Sequence, residues 1–378
     1  MIVGLSSNSI DTSTLVRGID GIGVYTRSLE KSLRACNVVT QRIGAPALNG
    51  LRWTRPTEAN MSFSLPLDIS NAWSSVTGFS APFSARVENA IDVYHATDYR
   101  APRLARTPVV ATIYDAISLR NPLWVGSRLR GLKNWLIRNS ADSADRVIAI
   151  SHAAIDEIEE YFHVPRDRIR VAYPAIADEW FSPVHPNAFA SLAKKWGLRS
   201  NYFLFVGTLQ PRKNIAALVE AYQRLPDRVR IDHQLLIVGR FGWGVESLRD
   251  QLRALTKAGQ VIWMERVDYA SLRAIYSNAS VFVFPTLAEG FGLPMIEALA
   301  SGLPVIASDL PVLREVGGAE VSFFSSGECE ALVDALQTGL SARRDIAAIA
   351  SRKVWAQQFS MKASGVKVRQ IYSELLSR

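Results

Sequence analysis

The 378-residue chain has only two cysteines, Cys36 and Cys329, far apart in sequence. That scarcity argues against a disulfide framework and fits a reducing cytoplasm. No uninterrupted apolar run approaches the roughly 20 residues that a spanning helix needs, so an integral membrane protein is not expected. Met1-Ile-Val-Gly-Leu5 starts directly as a strand, with no basic leader that would mark a secretory signal. Histidine is sparse and scattered, at His95, His152, His163, His185 and His233, and no Asp-x-Asp pair occurs. A metal centre and a resident cofactor are therefore not expected. There is no internal repeat, and no low-complexity tract beyond a mild serine bias.

Acidic residues are also short in one region. The formal net charge is +8, and residues 100–138 hold eight basic side chains against the single acid Asp115. Within it, Arg128-Leu-Arg-Gly-Leu-Lys-Asn-Trp-Leu-Ile-Arg138 interleaves cations with apolar residues at helical spacing. Such a segment suits an anionic membrane surface or a lipid phosphate, and equally an amphipathic helix facing the core. Nucleic acid is not an expected partner, because no nucleic-acid motif accompanies the charge. The expected location is the cytoplasm, with peripheral contact at the inner face of its membrane through residues 128–138.

What is present is an ordinary globular composition, 48% hydrophobic and 21% charged, at a length suited to two domains. Short apolar runs at 2–5, 93–95, 109–113, 147–150 and 170–172 form one set of expected strands. A second set at 203–206, 235–238, 261–264, 281–284 and 305–307 alternates with helical patterns. Alternation on this scale predicts α/β architecture with two Rossmann-like domains built on parallel sheets. The proline-bearing stretch 174–195 reads as the connection between them. Residues 60–89, rich in serine and asparagine yet carrying Trp73, Phe79 and Phe83, read as an acceptor-facing or membrane-facing insertion, or as a plain loop-and-helix excursion.

Pro285-Thr-Leu-Ala-Glu289-Gly-Phe-Gly-Leu-Pro294-Met-Ile-Glu297-Ala carries the most chemistry. It follows the strand pattern Val281-Phe-Val-Phe284, turns through Gly290 and Gly292, and starts a helix at Pro294. Free N–H groups at that helix start make an anion site, while Glu289 and Glu297 can accept hydrogen bonds from hydroxyls. Phosphate plus hydroxyls points to a nucleotide sugar. The run Tyr202-Phe-Leu-Phe-Val-Gly207-Thr-Leu-Gln-Pro-Arg212-Lys213-Asn214 places two cations after the first strand of the second domain, at the crevice where ligands of such sheets bind.

On these two runs, with Leu236-Ile-Val-Gly239 and Ala300-Ser-Gly-Leu-Pro-Val305, the chain resembles the retaining glycosyltransferases of family 4, which have the GT-B fold. The first half matches more weakly, through Gly21-Ile-Gly23-Val-Tyr25, Val93-Tyr-His-Ala96, Ala111-Thr-Ile-Tyr-Asp115 and Val147-Ile-Ala-Ile-Ser151-His152. The resemblance implies an acceptor-binding domain over 1–180, a nucleotide-sugar-binding domain over 181–356, sheets facing a cleft, and a terminal helix over 357–378 crossing back to the first domain. It implies that Arg212 and Lys213 hold the donor diphosphate with Gly207, Gly290, Phe291, Gly292, Leu293 and the Gly21–Gly23 loop. Glu297 would take the ribose hydroxyls, and Glu289 would sit over the transferred sugar. Glu289, Arg212 and Lys213 are then the catalytic set. Acceptor-side candidates are His95, Asp98, Tyr114 and Asp115; many relatives carry His where this chain has Tyr114, and a phenol cannot replace imidazole in proton transfer near neutral pH.

The implied activity is metal-independent, retaining transfer of a sugar from a nucleotide-diphospho-sugar to a hydroxyl of a lipid-linked or polysaccharide acceptor. The form of the Gly207–Asn214 run is similar to bacterial mannosyltransferases of surface-polysaccharide synthesis, which makes GDP-mannose the expected donor. Transfer from dTDP-rhamnose, UDP-glucose or UDP-galactose, a nucleotide-sugar epimerase, and a non-catalytic assembly subunit of the same fold are the alternatives.

Overall fold

The computed structural model describes residues 1–10, 21–49, 52–54, 56–121, 130–342 and 345–377. The chain divides into two compact units, Met1–Ala177 with Phe359–Arg378, and Asp178–Gln358. The boundary falls inside the proline-bearing stretch 174–195, but most of that stretch is not a linker. Trp180 is buried against Tyr269 and Tyr276, and Pro186–Trp196 is a helix whose first turn is capped by His185. Proline at the first helical position is compatible with a helix, so its presence there marked a start and not a connection.

The first unit is built on a seven-stranded parallel sheet in the order Met61–Ser62, Val39–Gly44, Ile2–Ser6, Val93–Ala96, Val109–Ile113, Arg146–Ala149, Ile169–Val171. The chain adds strands to one side of Ile2–Ser6, then returns to add Val93–Ala96 on the other. The order therefore reverses between these two strands, whose register pairs Val3 with Val93 and Leu5 with His95. The outer strands Val39–Gly44 and Met61–Ser62, of which Met61–Ser62 is the edge, were not expected. They are partly exposed and interrupted by polar residues, so they lack the solid apolar run of a strand buried on both faces.

Helix Gly21–Ala35 buries Tyr25, Leu29 and Leu33, spaced by four, against Val3, Leu5, Val93 and Val110. Val368, Ile371 and Tyr372 of the terminal helix Met361–Leu376 join the same core. The two helices approach closely at Gly365, where a Cβ would lie 2.4 Å from the backbone oxygen of Ser32. Backbone cannot give way as a flexible side chain can. Gly365→Ala is therefore expected to destabilise the first unit by about 1–3 kcal/mol, read as a lower urea midpoint with unchanged m-value.

The second unit holds a six-stranded parallel sheet in the order Val261–Met264, Gln234–Val238, Tyr202–Val206, Val281–Phe284, Val305–Ser308, Val321–Phe324. Here the order reverses between Tyr202–Val206 and Val281–Phe284. Ligands of open parallel sheets bind beyond the carboxyl ends of the strands at such a reversal. The loops leaving these two strands are those that carry Arg212, Lys213 and Glu289.

Candidate active site

In the second unit, Pro211–Lys213 forms one short helical turn and is tied to the facing loop through backbone. Leu287 N donates to the Arg212 carbonyl at 2.7 Å, and the Thr286 hydroxyl lies 3.0 Å from the same oxygen. Asn214 then turns left-handed (φ 55°), which its side chain tolerates better than most, and the helix Ile215–Arg224 begins. These bonds fix where the cations point. Arg212 Nη1 donates to the Ala288 carbonyl at 3.0 Å and reaches Glu289 Oε2 at 3.3 Å, while Lys213 Nζ pairs with the same carboxylate oxygen. Lys213 is buried and also lies 4.9 Å from the centre of the Phe284 ring.

Two cations therefore share one carboxylate. Burial pushes the Glu289 carboxyl up, but Lys213 and Arg212 outweigh it and hold the group below its ordinary value. The cluster carries a net positive charge. Among the described residues, Nε and Nη2 of Arg212 make no hydrogen bond, so part of its donor fork remains for a further anion.

The loop after Glu289 ends at Gly292, whose φ of 104° is closed to most side chains and whose Cβ would press on Leu313. Helix Leu293–Ala300 follows with no side-chain cap; Pro294 has no N–H and Met295 N already donates to the Gly292 carbonyl at 2.9 Å, so in the first turn it is the Leu293 N–H that is left for a ligand. Glu297 sits on this helix, partly buried, with Oε2 accepting from Tyr276 Oη at 3.2 Å. No cation faces it. Burial pushes its carboxyl up to about 8, with the Tyr276 hydrogen bond opposing weakly. The two glutamates of one motif are thus in opposite states near neutral pH, Glu289 ionised and Glu297 largely protonated.

Gly207 follows the first strand of this sheet and Gly239 the next; a Cβ on Gly239 would fall 1.9 Å from the Gly207 oxygen, so the two loops approach this closely only because Gly239 has no side chain. The segment after Gly239 is laced to the same turn, by Leu209 N to the Arg240 carbonyl at 2.8 Å and Gly242 N to the Leu209 carbonyl at 2.7 Å. Gly290 and Leu293 are partly exposed beside the cluster, and Phe291 is buried beneath it. The structure thus brings Gly207, Arg212, Lys213, Glu289, Gly290, Phe291, Gly292, Leu293 and Glu297 to one end of one sheet.

In the first unit the sequence candidates separate. His95 is fully buried, with Nδ1 2.6 Å from Tyr372 Oη and Nε2 2.7 Å from Thr112 Oγ1; burial lowers its pKa to about 3. It is a neutral core residue tying the terminal helix to the sheet, which corrects its reading as an acceptor-side group. Tyr114 donates to the Thr97 carbonyl at 2.7 Å and packs edge-on against Tyr25 and Tyr99. Asp115 accepts from Ile117 N at 3.0 Å, at the start of a short helix. Gly21 and Gly23 form the first turn of helix Gly21–Ala35, and residues 11–20 before it lie outside those described.

Asp98 stands apart. It follows strand Val93–Ala96 at the reversal point, next to Tyr99, whose φ of 62° is unusual for a bulky residue. Close to it lie polar groups that sequence reading passed over, Ser6 and Tyr94, both fully buried. The Ser6 hydroxyl is near enough to lower the pKa values of Asp98 and Tyr94, yet among the described residues Ser6 Oγ, Tyr94 Oη and Asp98 Oδ1 complete no hydrogen bond of proper geometry. Burial is the main influence on Asp98 and pushes its carboxyl up. A serine ending a strand carries no pattern signal, and only the sheet order sets Ser6 beside Asp98.

Of residues 128–138, Arg128 and Leu129 lie outside the described residues, and the side chains of Arg130, Leu132 and Lys133 are likewise outside them. Helix Arg130–Asp142 is present, with Trp135 exposed. Among the described residues no group of three histidine, cysteine or acidic side chains is placed to hold a metal ion, and no helix is long and apolar enough to cross a membrane.

Two family models match in succession, Glycosyltransferase Family 4 over residues 19–180 and Glycosyl transferases group 1 over residues 190–355. O-antigen chain mannosyltransferase B of Escherichia coli is 33% identical over 229 residues, 60% of this chain and 59% of that one. The chain thus spans about three-fifths of that relative. Among solved structures, sucrose-phosphate synthase from Thermosynechococcus elongatus superposes with a TM-score of 0.72 at 20% identity, over 100% of this chain and 99% of the other. An Anabaena protein in complex with UDP-glucose does so with a TM-score of 0.70 at 18% identity, over 100% and 99%.

Proposed function

Since the chain belongs to the family 4 glycosyltransferases and has the GT-B fold, we propose that it transfers a sugar, with retention of configuration, from a nucleotide-diphospho-sugar to a glycan hydroxyl. The observation that carries this reading is the Arg212–Lys213–Glu289 cluster at the sheet reversal, with the protonated Glu297 one helix turn beyond it. The donor diphosphate meets the free part of the Arg212 fork, Lys213 and the Leu293 N–H at the start of Leu293–Ala300. Glu297 accepts from the ribose hydroxyls and Glu289 from hydroxyls of the transferred sugar.

The bond from the anomeric carbon to the diphosphate oxygen breaks, and the nucleoside diphosphate leaves with the electron pair. Arg212 and Lys213 stabilise its growing negative charge. The acceptor hydroxyl forms the new bond on the face the diphosphate leaves, and its proton passes to the departing phosphate oxygen. The scheme assigns no step to a metal ion and none to a protein base, so the replacement of histidine by Tyr114 does not obstruct it. The donor is GDP-mannose, by likeness to the mannosyltransferases of surface-polysaccharide synthesis, and the acceptor is a lipid-linked glycan reached at the cytoplasmic face of the membrane.

Asp98, with Ser6 and Tyr94 beside it, is the acceptor-side group of this reading. A partly buried carboxylate beside unengaged hydroxyls suits a sugar diol, accepting from one hydroxyl and donating to another. Asp98→Asn is expected to raise the acceptor KM about tenfold while leaving donor affinity within about twofold, measured by steady-state kinetics and by calorimetry with GDP. Equal effects on both substrates would remove Asp98 from the acceptor site.

Incubation with a panel of nucleotide sugars and lipid-linked glycans tests the activity itself. Nucleoside-diphosphate release that requires the glycan supports transfer. Free sugar product without acceptor assigns an epimerase, and tight binding without turnover assigns a non-catalytic subunit.

A further inference from the structure

A second surface of the first unit is built for contact. Helix Leu67–Thr77 buries Leu67, Ser70, Asn71 and Ser74 on one side. Its other side presents Ile69 (48% exposed), Trp73 (48%) and Val76 (80%), spaced four and three residues apart and so on one face. Phe79 and Phe83 follow directly and are 70% and 74% exposed. Five large apolar side chains in fifteen residues form a patch that water alone does not favour.

The backbone is shaped to hold it. Phe83 has a φ of 58°, a conformation costly for a bulky side chain, and gains no burial from it. The turn is fixed on both sides of the ring. Ala81 N donates to the Arg103 carbonyl at 2.7 Å, and the Ser84 hydroxyl lies 2.8 Å from the Ala81 carbonyl and 2.6 Å from Glu88 Oε1.

Cations rim the patch. Arg100 lies 3.5 Å from Asp68 at the start of the helix, Arg103 is joined through its backbone to the turn between Phe79 and Phe83, and Arg86 follows on the next helix. Arg86, Arg103 and Arg106 are exposed. The neighbouring acids are already engaged: Asp68 faces Arg100, and buried Glu88 accepts from Ser84 and from the backbone of Arg106 and Thr107. An apolar centre with a rim of one sign selects a partner that is apolar inside and anionic at its surface.

We infer that residues 69–83 dock on an anionic lipid bilayer, with Trp73, Phe79 and Phe83 entering the headgroup layer and Arg86, Arg103 and Arg106 meeting lipid phosphates. This deepens the lipid-linked acceptor reading by naming the surface that brings the protein to its acceptor. Its test needs neither donor nor acceptor, so it fails or succeeds apart from that reading.

The experiment is sedimentation of the full chain with vesicles of phosphatidylglycerol and phosphatidylethanolamine, and with vesicles of phosphatidylcholine alone. Wild type is expected to sediment with the first and far less with the second. The exposed triple variant Trp73→Ser, Phe79→Ser, Phe83→Ser is expected to bind at least about tenfold more weakly while keeping its far-UV circular dichroism. Arg86→Glu with Arg103→Glu and Arg106→Glu is expected to weaken binding in the same way. Wild-type binding by the triple variant overturns the assignment, as does absence of wild-type binding to anionic vesicles. A self-associating wild type that the triple variant renders monomeric, without vesicle binding, gives the patch to a second copy instead.

Discussion

Lys213→Ala is expected to lower turnover by about 10²–10³-fold and to weaken nucleoside-diphosphate binding by about 1–3 kcal/mol. Lys213 is buried beside Glu289 and the Phe284 ring, so its charge acts where water screens little. Of the two cations it is the more enclosed, with 8% of its side chain exposed against 24% for Arg212. A purely structural role makes a different prediction. Removing Lys213 leaves Glu289 with Arg212 alone, which raises the carboxyl pKa and destabilises the second unit. The double variant Lys213→Ala, Glu289→Ala removes the stranded charge. It is expected to recover stability relative to Lys213→Ala while still binding nucleoside diphosphate weakly, whereas binding recovered together with stability would reduce Lys213 to a partner of Glu289. In the wild type the depressed Glu289 pKa means that the pairing stabilises the folded state above the ordinary carboxylate value and is lost as pH falls below it.

Donor binding is expected to release a proton. Glu297 carries a carboxyl raised to about 8 from 4.5, so in the free protein at pH 7 it is mostly neutral. Accepting hydrogen bonds from two ribose hydroxyls favours the ionised form. Affinity for GDP is therefore expected to rise through pH 6 to 8, approaching about tenfold per pH unit well below the pKa of free Glu297. Calorimetry at pH 7 in buffers of different ionisation enthalpy is expected to show release of nearly one proton. Glu297→Gln is expected to abolish the release and weaken binding by about 1–3 kcal/mol. Stability carries the opposite sign. An acid whose pKa rises on folding holds its proton more tightly in the folded state, so it favours that state at low pH and loses the advantage as pH rises from 4.5 towards 8. The Gln variant is thus expected to gain in thermal midpoint relative to wild type most clearly above pH 8. Buffer-independent binding heats would take Glu297 away from the ribose.

The central strands were legible in the sequence because they are buried on both faces. Val281–Phe284 and Tyr202–Val206 read as unbroken apolar runs, and the glycines and cations after them mark the loops at the reversal. Outer strands such as Val39–Gly44 offer no such run. His95 misled for a different reason. A histidine ending a strand looks available, but its partner Tyr372 lies 277 positions away, and no local pattern announces the pairing. Ser6 was silent for the same cause, since its place beside Asp98 follows from sheet order alone. The opposite states of Glu289 and Glu297 were not readable either. Both glutamates stand in one motif, and what separates them is that Lys213 and Arg212 reach one and only Tyr276 reaches the other. For residues 69–83, the aromatics stood out among serine and asparagine, while the exposure of an apolar face depends on what the rest of the fold leaves uncovered.

The most direct measurement is transfer from GDP-mannose, labelled at its anomeric carbon, to a lipid-linked glycan, with the one-bond carbon–hydrogen coupling of the new linkage read by nuclear magnetic resonance. An α-linked product, formed with one GDP released per linkage and lost in Lys213→Ala, is the predicted result. A β-linked product, or release of GDP that does not depend on the glycan, would contradict retaining transfer by this site.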